Sequence, residues 1–171
     1  MVKKKILITG SNGFLGKLAV EHFSINNELV LVDLVSSDNE NFYKADIGNF
    51  EEIDRVITNE KPNIIFHFAS EIFDTHNQNK IYKTNVVGSK NIYTSAIKNN
   101  VENLIFTSTF SLFEKNYDYL INEAEPISCK NYYGITKLEA ERELLRSESK
   151  LNVSIFRCPI IVDKSRHHRL R

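Results

Sequence analysis

Strand-sized apolar runs alternate with helical repeats along this chain, and that alternation limits the fold more than any other feature. The runs cover residues 5–9, 28–33, 63–70, 102–109 and 152–159. Helical patterns lie between them at 14–26, 49–60, 79–100 and 131–149. The third run, "NIIFHFAS", is continuously apolar rather than alternating, as a strand covered on both faces should be. Asn49 is placed to cap the second helix, with acids in its first turn, and Pro62 ends it. Gly88 interrupts the third helical pattern and marks close packing there. Such an order predicts an α/β fold: a doubly wound parallel sheet in a three-layer α/β/α sandwich. Ligands of such sheets bind at the carboxyl ends of the strands, near the point where strand order reverses.

The 171 residues suit one domain, and no internal repeat, linker or low-complexity segment divides them. Lys plus Arg and Asp plus Glu both number 22, so net charge supplies no argument for nucleic acid or an anionic membrane. The apolar runs are too short to span a bilayer. The start, "MVKKKILITG", lacks the apolar length of a signal peptide, so the chain reads as cytoplasmic. Cys129 and Cys158 lie far apart and read as reduced, unpaired thiols. The five histidines are scattered; His167 and His168 sit in a basic tail and read as solvated rather than metal-binding.

The first strand runs into "TGSNGFLG", which spaces Gly10, Gly13 and Gly16 three apart before a helix. Gly10 permits a tight turn, Gly13 lets backbone approach a pyrophosphate, and Gly16 lets helix and strand pack closely. The helix start adds free N–H groups and the positive end of a dipole. Asp33 ends the second strand, where a carboxylate takes two ribose hydroxyls and repels a 2′-phosphate, favouring NAD over NADP. Asp46 in "KADIGN" is either an acceptor for the adenine amino group or a loop and cap residue.

Tyr133 and Lys137 lie four apart on the last helix and share one face. A free tyrosine is a poor base near neutrality. A lysine alongside and an oxidised nicotinamide favour the phenolate, which then moves protons. A surface pair is the alternative for this spacing. Tyr132 has Thr136 four residues on and is out of register. Thr107, Ser108 and Thr109 end the fourth strand, where hydroxyls either polarise a substrate oxygen or cap the strand.

In this order these motifs resemble the extended short-chain dehydrogenase/reductase superfamily. Within it, the chain is similar to the NAD-dependent epimerase/dehydratase family acting on nucleotide sugars. The likeness rests on "TGSNGFLG", Asp33, "ADIGN", "IIFHFAS", "TNVVGSKNI", "FTST", "YGITKLEAE" and "FRCP", from Lys5 to about Pro159. It implies a Rossmann-like NAD-binding domain over 1–171. Gly10, Asn12, Gly13, Phe14, Leu15 and Gly16 would cradle the pyrophosphate. Asp33 would hold the adenosine ribose, and Asp46 with Ile47 the adenine. Ala69 would line the cofactor, and Asn85 matches a structural Asn. Thr109 would be the catalytic hydroxyl, flanked by Ser108. Tyr133 would be the general acid/base, with Lys137 lowering its pKa and holding the nicotinamide ribose. Tyr133 and Lys137 thus serve both catalysis and cofactor binding. The family often dimerises through the helices holding Asn85 and Tyr133.

Two departures stand out. Glu114 replaces the glycine of the usual "VYG". Ile160 and Asp163 replace the Asn and Gly usual after the fifth strand, and the family's substrate-binding portion is absent from the 171 residues. The resemblance therefore implies the cofactor half of a nucleotide-sugar epimerase, dehydratase or reductase, from a truncated or split reading frame. A reductase of a non-sugar, sterol-like substrate and a non-catalytic NAD-binding module are the alternatives.

Overall fold

The computed structural model of the chain describes residues 3–72, 77–114, 118–146, 150–159 and 161. The sheet has six parallel strands in the order β3-β2-β1-β4-β5-β6. These are β1 (Lys5–Thr9), β2 (Glu28–Asp33), β3 (Phe42–Lys44), β4 (Ile64–His67), β5 (Asn103–Thr109) and β6 (Asn152–Cys158). The order reverses between β1 and β4, so the carboxyl ends of these two strands open the crevice that the sequence predicts.

One face of the sheet carries α2 (Phe50–Glu60), α4 (Gly88–Lys98) and α5 (Tyr132–Leu144). They bury Ile53, Ile57, Ile92, Ala96, Ala140 and Leu144 against Leu7, Val30, Leu104 and Phe106. The other face carries α1 (Phe14–Phe23), whose Ala19, Val20 and Phe23 pack on Ile6, Ile8, Leu29 and Leu31. Fully burying each such aliphatic side chain contributes about 1.5–3 kcal/mol, so strands and helices hold each other in place.

The sequence boundaries need correction at five places. The first helix stops at Phe23 rather than 26, because Ile25 is 76% exposed and does not join the buried stripe. A short strand, β3, is added; its three half-buried or exposed residues give too little pattern to read. The run at 63–70 keeps ladder pairing only over Ile64–His67. The long helix begins at Gln78 with α3 (Gln78–Tyr82) and widens into a π-helical turn over Lys83–Val87 before α4. Gly88 follows that turn, where a Cβ would lie 2.7 Å from the Ile47 side chain. Asn49 does cap α2, accepting from the Glu51 N–H at 3.2 Å. The last helix ends at Leu144 rather than 149; 147–149, Ile160, Asp163 and the basic tail lie outside the described residues.

Candidate active site

The loop after β1 is folded tightly on itself. Gly10 adopts φ 68°, the left-handed region, and a Cβ there would lie 2.7 Å from the Ala69 N atom. A Cβ on Gly16 would fall 2.1 Å from the Gly10 carbonyl oxygen. The loop closes through Gly13 N–H to Gly10 O at 2.9 Å. Gly13 stands at the N-cap of α1 and makes no side-chain cap bond. A helix start of this kind suits an anion.

Asp33 borders the loop. Its Oδ2 accepts the Asn12 N–H at 3.0 Å and its Oδ1 accepts the Val35 N–H at 3.1 Å. Each oxygen keeps a further lone pair for a hydroxyl. The Asn12 side chain donates to the Val35 carbonyl at 2.6 Å, so it braces the loop against the end of β2. Asp46 follows β3. Burial works against its ionisation, but the Lys83 ammonium at 2.9 Å and the Gly48 N–H at 2.8 Å prevail and hold it below the usual carboxylate range. Ile47 beside it is buried, and its carbonyl accepts from Asn91.

On the β4 side, His67 is wholly buried, and burial, aided by Lys137, pulls it down to about 3. It is neutral, and the surrounding bonds assign its tautomer. Ser89 Oγ donates to Asn85 O at 2.6 Å, so Nε2–H donates to Ser89 Oγ at 3.0 Å. Nδ1 therefore accepts from Thr9 Oγ1 at 2.7 Å, and Thr9 Oγ1 accepts from the Ala69 N–H at 3.3 Å. The crevice walls, β1 and β4, are thereby bonded to the helix behind them.

The proton-bearing groups meet at the carboxyl ends of β4, β5 and β6. Asn131 caps α5 through the Gly134 N–H at 2.6 Å and so fixes its first turn, where Tyr133 sits. Burial pushes the Tyr133 phenol up; hydrogen bonds to Ser70 and Thr109 pull it back only in part. Thr109 Oγ1 also accepts from the Ser111 N–H at 3.1 Å. Lys137, one turn further along α5, is 2% exposed, and burial pulls its ammonium down to about 7 against the pull of Glu141 and Cys158. Its Nζ lies over the Phe106 ring, 3.9 Å from the centroid. Ser108 Oγ is buried without a hydrogen-bond partner among the described residues.

The profile of the NAD dependent epimerase/dehydratase family matches residues 6–168. The chain belongs to that family. Over 147 residues it is 25% identical to the UDP-glucose 4-epimerase of Halalkalibacterium halodurans, covering 80% of this chain and 44% of that protein. A putative UDP-glucose 4-epimerase of Methanocaldococcus jannaschii is 28% identical over 148 residues, 80% of this chain and 48% of the relative. The solved UDP-glucose 4-epimerase of Thermotoga maritima with UDP-glucose has 28% identity and a TM-score of 0.81, over 90% of this chain and 54% of that one. The Bordetella bronchiseptica enzyme WbmG in complex with NAD shares the fold, with a TM-score of 0.83 at 24% identity over 91% and 53% of the two chains. The chain thus spans about half the length of the relatives it matches.

An NAD-dependent family needs a pyrophosphate cradle, and the tight glycine loop between Gly10 and Gly16 fits one. Glu114, at the position of the family's glycine, has a structural use here. It accepts the N–H groups of Lys130 at 2.8 Å and Asn131 at 3.0 Å, and the Asn131 side chain besides. These donors, the Asn131 amide foremost, hold its carboxyl below the usual range. It secures the cap of the helix that carries Tyr133. Sequence reasoning missed Ser70 and His67. A polar residue just past β4 at the switch point was the available signal for Ser70. Among the described residues no group of three or more His, Cys, Asp or Glu is placed to hold a metal. No described helix is long and apolar enough to cross a membrane.

Proposed function

We propose that this chain is the NAD-binding half of a nucleotide-sugar epimerase or dehydratase, with Tyr133 as its general acid/base. One observation carries the reading. The glycine loop follows the carboxyl end of β1, Asp33 ends β2, Thr109 ends β5 and Tyr133 stands in the first turn of α5, so all lie toward the carboxyl edge of one parallel sheet. NAD, when bound, supplies a hydride acceptor and donor at its nicotinamide ring. Gly10, Asn12, Gly13, Phe14, Leu15 and Gly16 shape the pyrophosphate cradle, Asp33 takes the adenosine ribose, and Asp46 with Ile47 borders the adenine. Ala69 and Ser108 line the cofactor, the latter with an otherwise unused hydroxyl. Lys137 holds the nicotinamide ribose. Thr109 donates to Tyr133, and Tyr133 takes a proton from a sugar hydroxyl or returns one. UDP-glucose 4-epimerases recur among the relatives at 25–28% identity, which favours a UDP-sugar as substrate.

Cys129 and Cys158 are both free thiols, which fits a cytoplasmic setting. Pairing of two copies through the helices holding Asn85 and Tyr133 belongs to the same proposal; a monomeric mass in sedimentation overturns it. The central test is a nicotinamide-fluorescence titration. NADH is expected to bind the parent chain and Tyr133→Phe alike, and to bind Asp33→Ala at least tenfold more weakly. Absence of binding to the parent overturns the proposal.

A further inference from the structure

The loop between β3 and α2 is pinned to the π-helical turn and to α4. The Lys83 ammonium, from the first residue of that turn, donates to Asp46 Oδ2 at 2.9 Å. The Lys83 stem lies against Gly48, where a Cβ would fall 2.7 Å from Cε and 3.0 Å from Cγ. In the other direction the Ile47 side chain lies against Gly88, and the Ile47 carbonyl accepts from the Asn91 amide at 2.9 Å. Loop and helix thus interlock, each offering a glycine where the other's side chain lies.

The Asp46 backbone is held from within the loop. Its N–H donates to Glu52 Oε2 at 2.8 Å, and its carbonyl accepts from the Asn49 N–H at 2.9 Å. The carboxylate takes one donor on each oxygen, the Gly48 N–H at 2.8 Å on Oδ1 and Lys83 on Oδ2. Two donors on opposite oxygens fix the rotation of the group, and each oxygen keeps a lone pair for a ligand. The Asp46 side chain is 32% exposed, so a ligand can reach it. Without the ammonium, the Gly48 N–H alone would orient the carboxylate.

We propose that Lys83 is a positioning residue for base recognition, setting the Asp46 carboxylate to accept the exocyclic amino group of the NAD adenine. The inference rests on Asp46 as the adenine acceptor, and the test separates the two. NADH is compared with reduced nicotinamide hypoxanthine dinucleotide, whose base carries a carbonyl oxygen in place of that amino group. Nicotinamide fluorescence reads the binding of both. The parent is expected to prefer NADH by about tenfold or more, the size of one hydrogen bond to a charged acceptor. Asp46→Asn loses most of that preference. Lys83→Met keeps the stem over Gly48 and removes the ammonium. It is expected to cut the preference by about threefold or more while its thermal midpoint stays close to that of the parent, because an exposed ion pair adds little to stability. Lys83→Arg restores the preference. A preference that Lys83→Met leaves unchanged or raises overturns the proposal, and so does a loss that Lys83→Arg fails to restore. A parent that binds both dinucleotides equally fails the Asp46 reading itself, and the role of Lys83 falls with it.

Discussion

The Lys137 ammonium lies 3.9 Å above the Phe106 ring, in a site where the residue is 2% exposed and titrates near 7. The unfolded chain holds that proton up to 10.5, so between about 7 and 10.5 it binds one proton more than the fold. Stability therefore rises with pH across this window, by at most about 1.4 kcal/mol per unit, and the burden is greatest below pH 7. Lys137→Met keeps the stem and removes the charge. It is expected to be more stable than the parent in urea at pH 7, with a smaller gain at pH 9. A gain that grows with pH would show a charged, well-paired lysine instead. The same variant is expected to lose NADH affinity, so the charge is retained at the expense of the fold.

His67 makes a separate pH prediction. Its folded value of about 3 lies below the ordinary 6.5, so it favours the fold fully above pH 6.5 and loses that contribution as pH falls toward 3. Between pH 6.5 and 5, before most carboxylates titrate, the parent should lose up to about 1.4 kcal/mol per pH unit. His67→Gln retains hydrogen-bonding capacity without titrating. Urea midpoints for the variant should stay flat from pH 7 to 5 while those of the parent fall. Parallel curves would refute the assignment of the slope to His67.

Where the sequence alone was legible, the signal was local. Lys5–Thr9 and Glu28–Asp33 are continuous apolar runs with polar ends, and both strands appear with those limits. Asn49 caps a helix because its partner is two residues away. The features missed depend on partners far along the chain. Thr9 meets His67 from 58 residues off, and Asn85 meets Thr136 from 51. The π-helical turn at Lys83–Val87 is hidden for another reason: one wide turn hardly disturbs a helical period read over three turns. The spacing of Tyr133 and Lys137 placed both on one helix but carried no information about the burial that sets their protonation.

Glu141 and Arg157 tie α5 to the edge strand β6. The Arg157 guanidinium donates to the two carboxylate oxygens at 3.1 and 2.8 Å, and the Glu141 side chain is 3% exposed. Removing one partner of such a pair leaves the other uncompensated, at about 3–5 kcal/mol for full burial. Arg157 is partly exposed, which places Glu141→Ala near the lower end. Glu141→Gln keeps an acceptor and should lose less than half as much. Chemical unfolding of the two variants measures both, and equal losses would mean that packing rather than charge holds β6.

Gly13 and Gly16 should respond oppositely to the same added methyl group. At Gly16 the Cβ would sit 2.1 Å from the Gly10 carbonyl and 2.7 Å from Ser11 Cα, both backbone atoms that cannot turn aside. Gly16→Ala must open the loop or shift α1, and is expected to cost about 3 kcal/mol or more. At Gly13 a Cβ meets only the Gly10 carbonyl, at 3.1 Å, and the backbone angles of −71° and 173° suit any residue. Gly13→Ala should therefore fold with a loss of about 1 kcal/mol or less. It nevertheless sets a methyl group at the start of α1, where the proposed cradle would receive a pyrophosphate. NADH affinity should fall at least tenfold in Gly13→Ala while its thermal midpoint stays within a few degrees of the parent. If Gly13→Ala binds NADH as the parent does, the cofactor does not approach the helix start, and the cradle assigned to this loop is wrong.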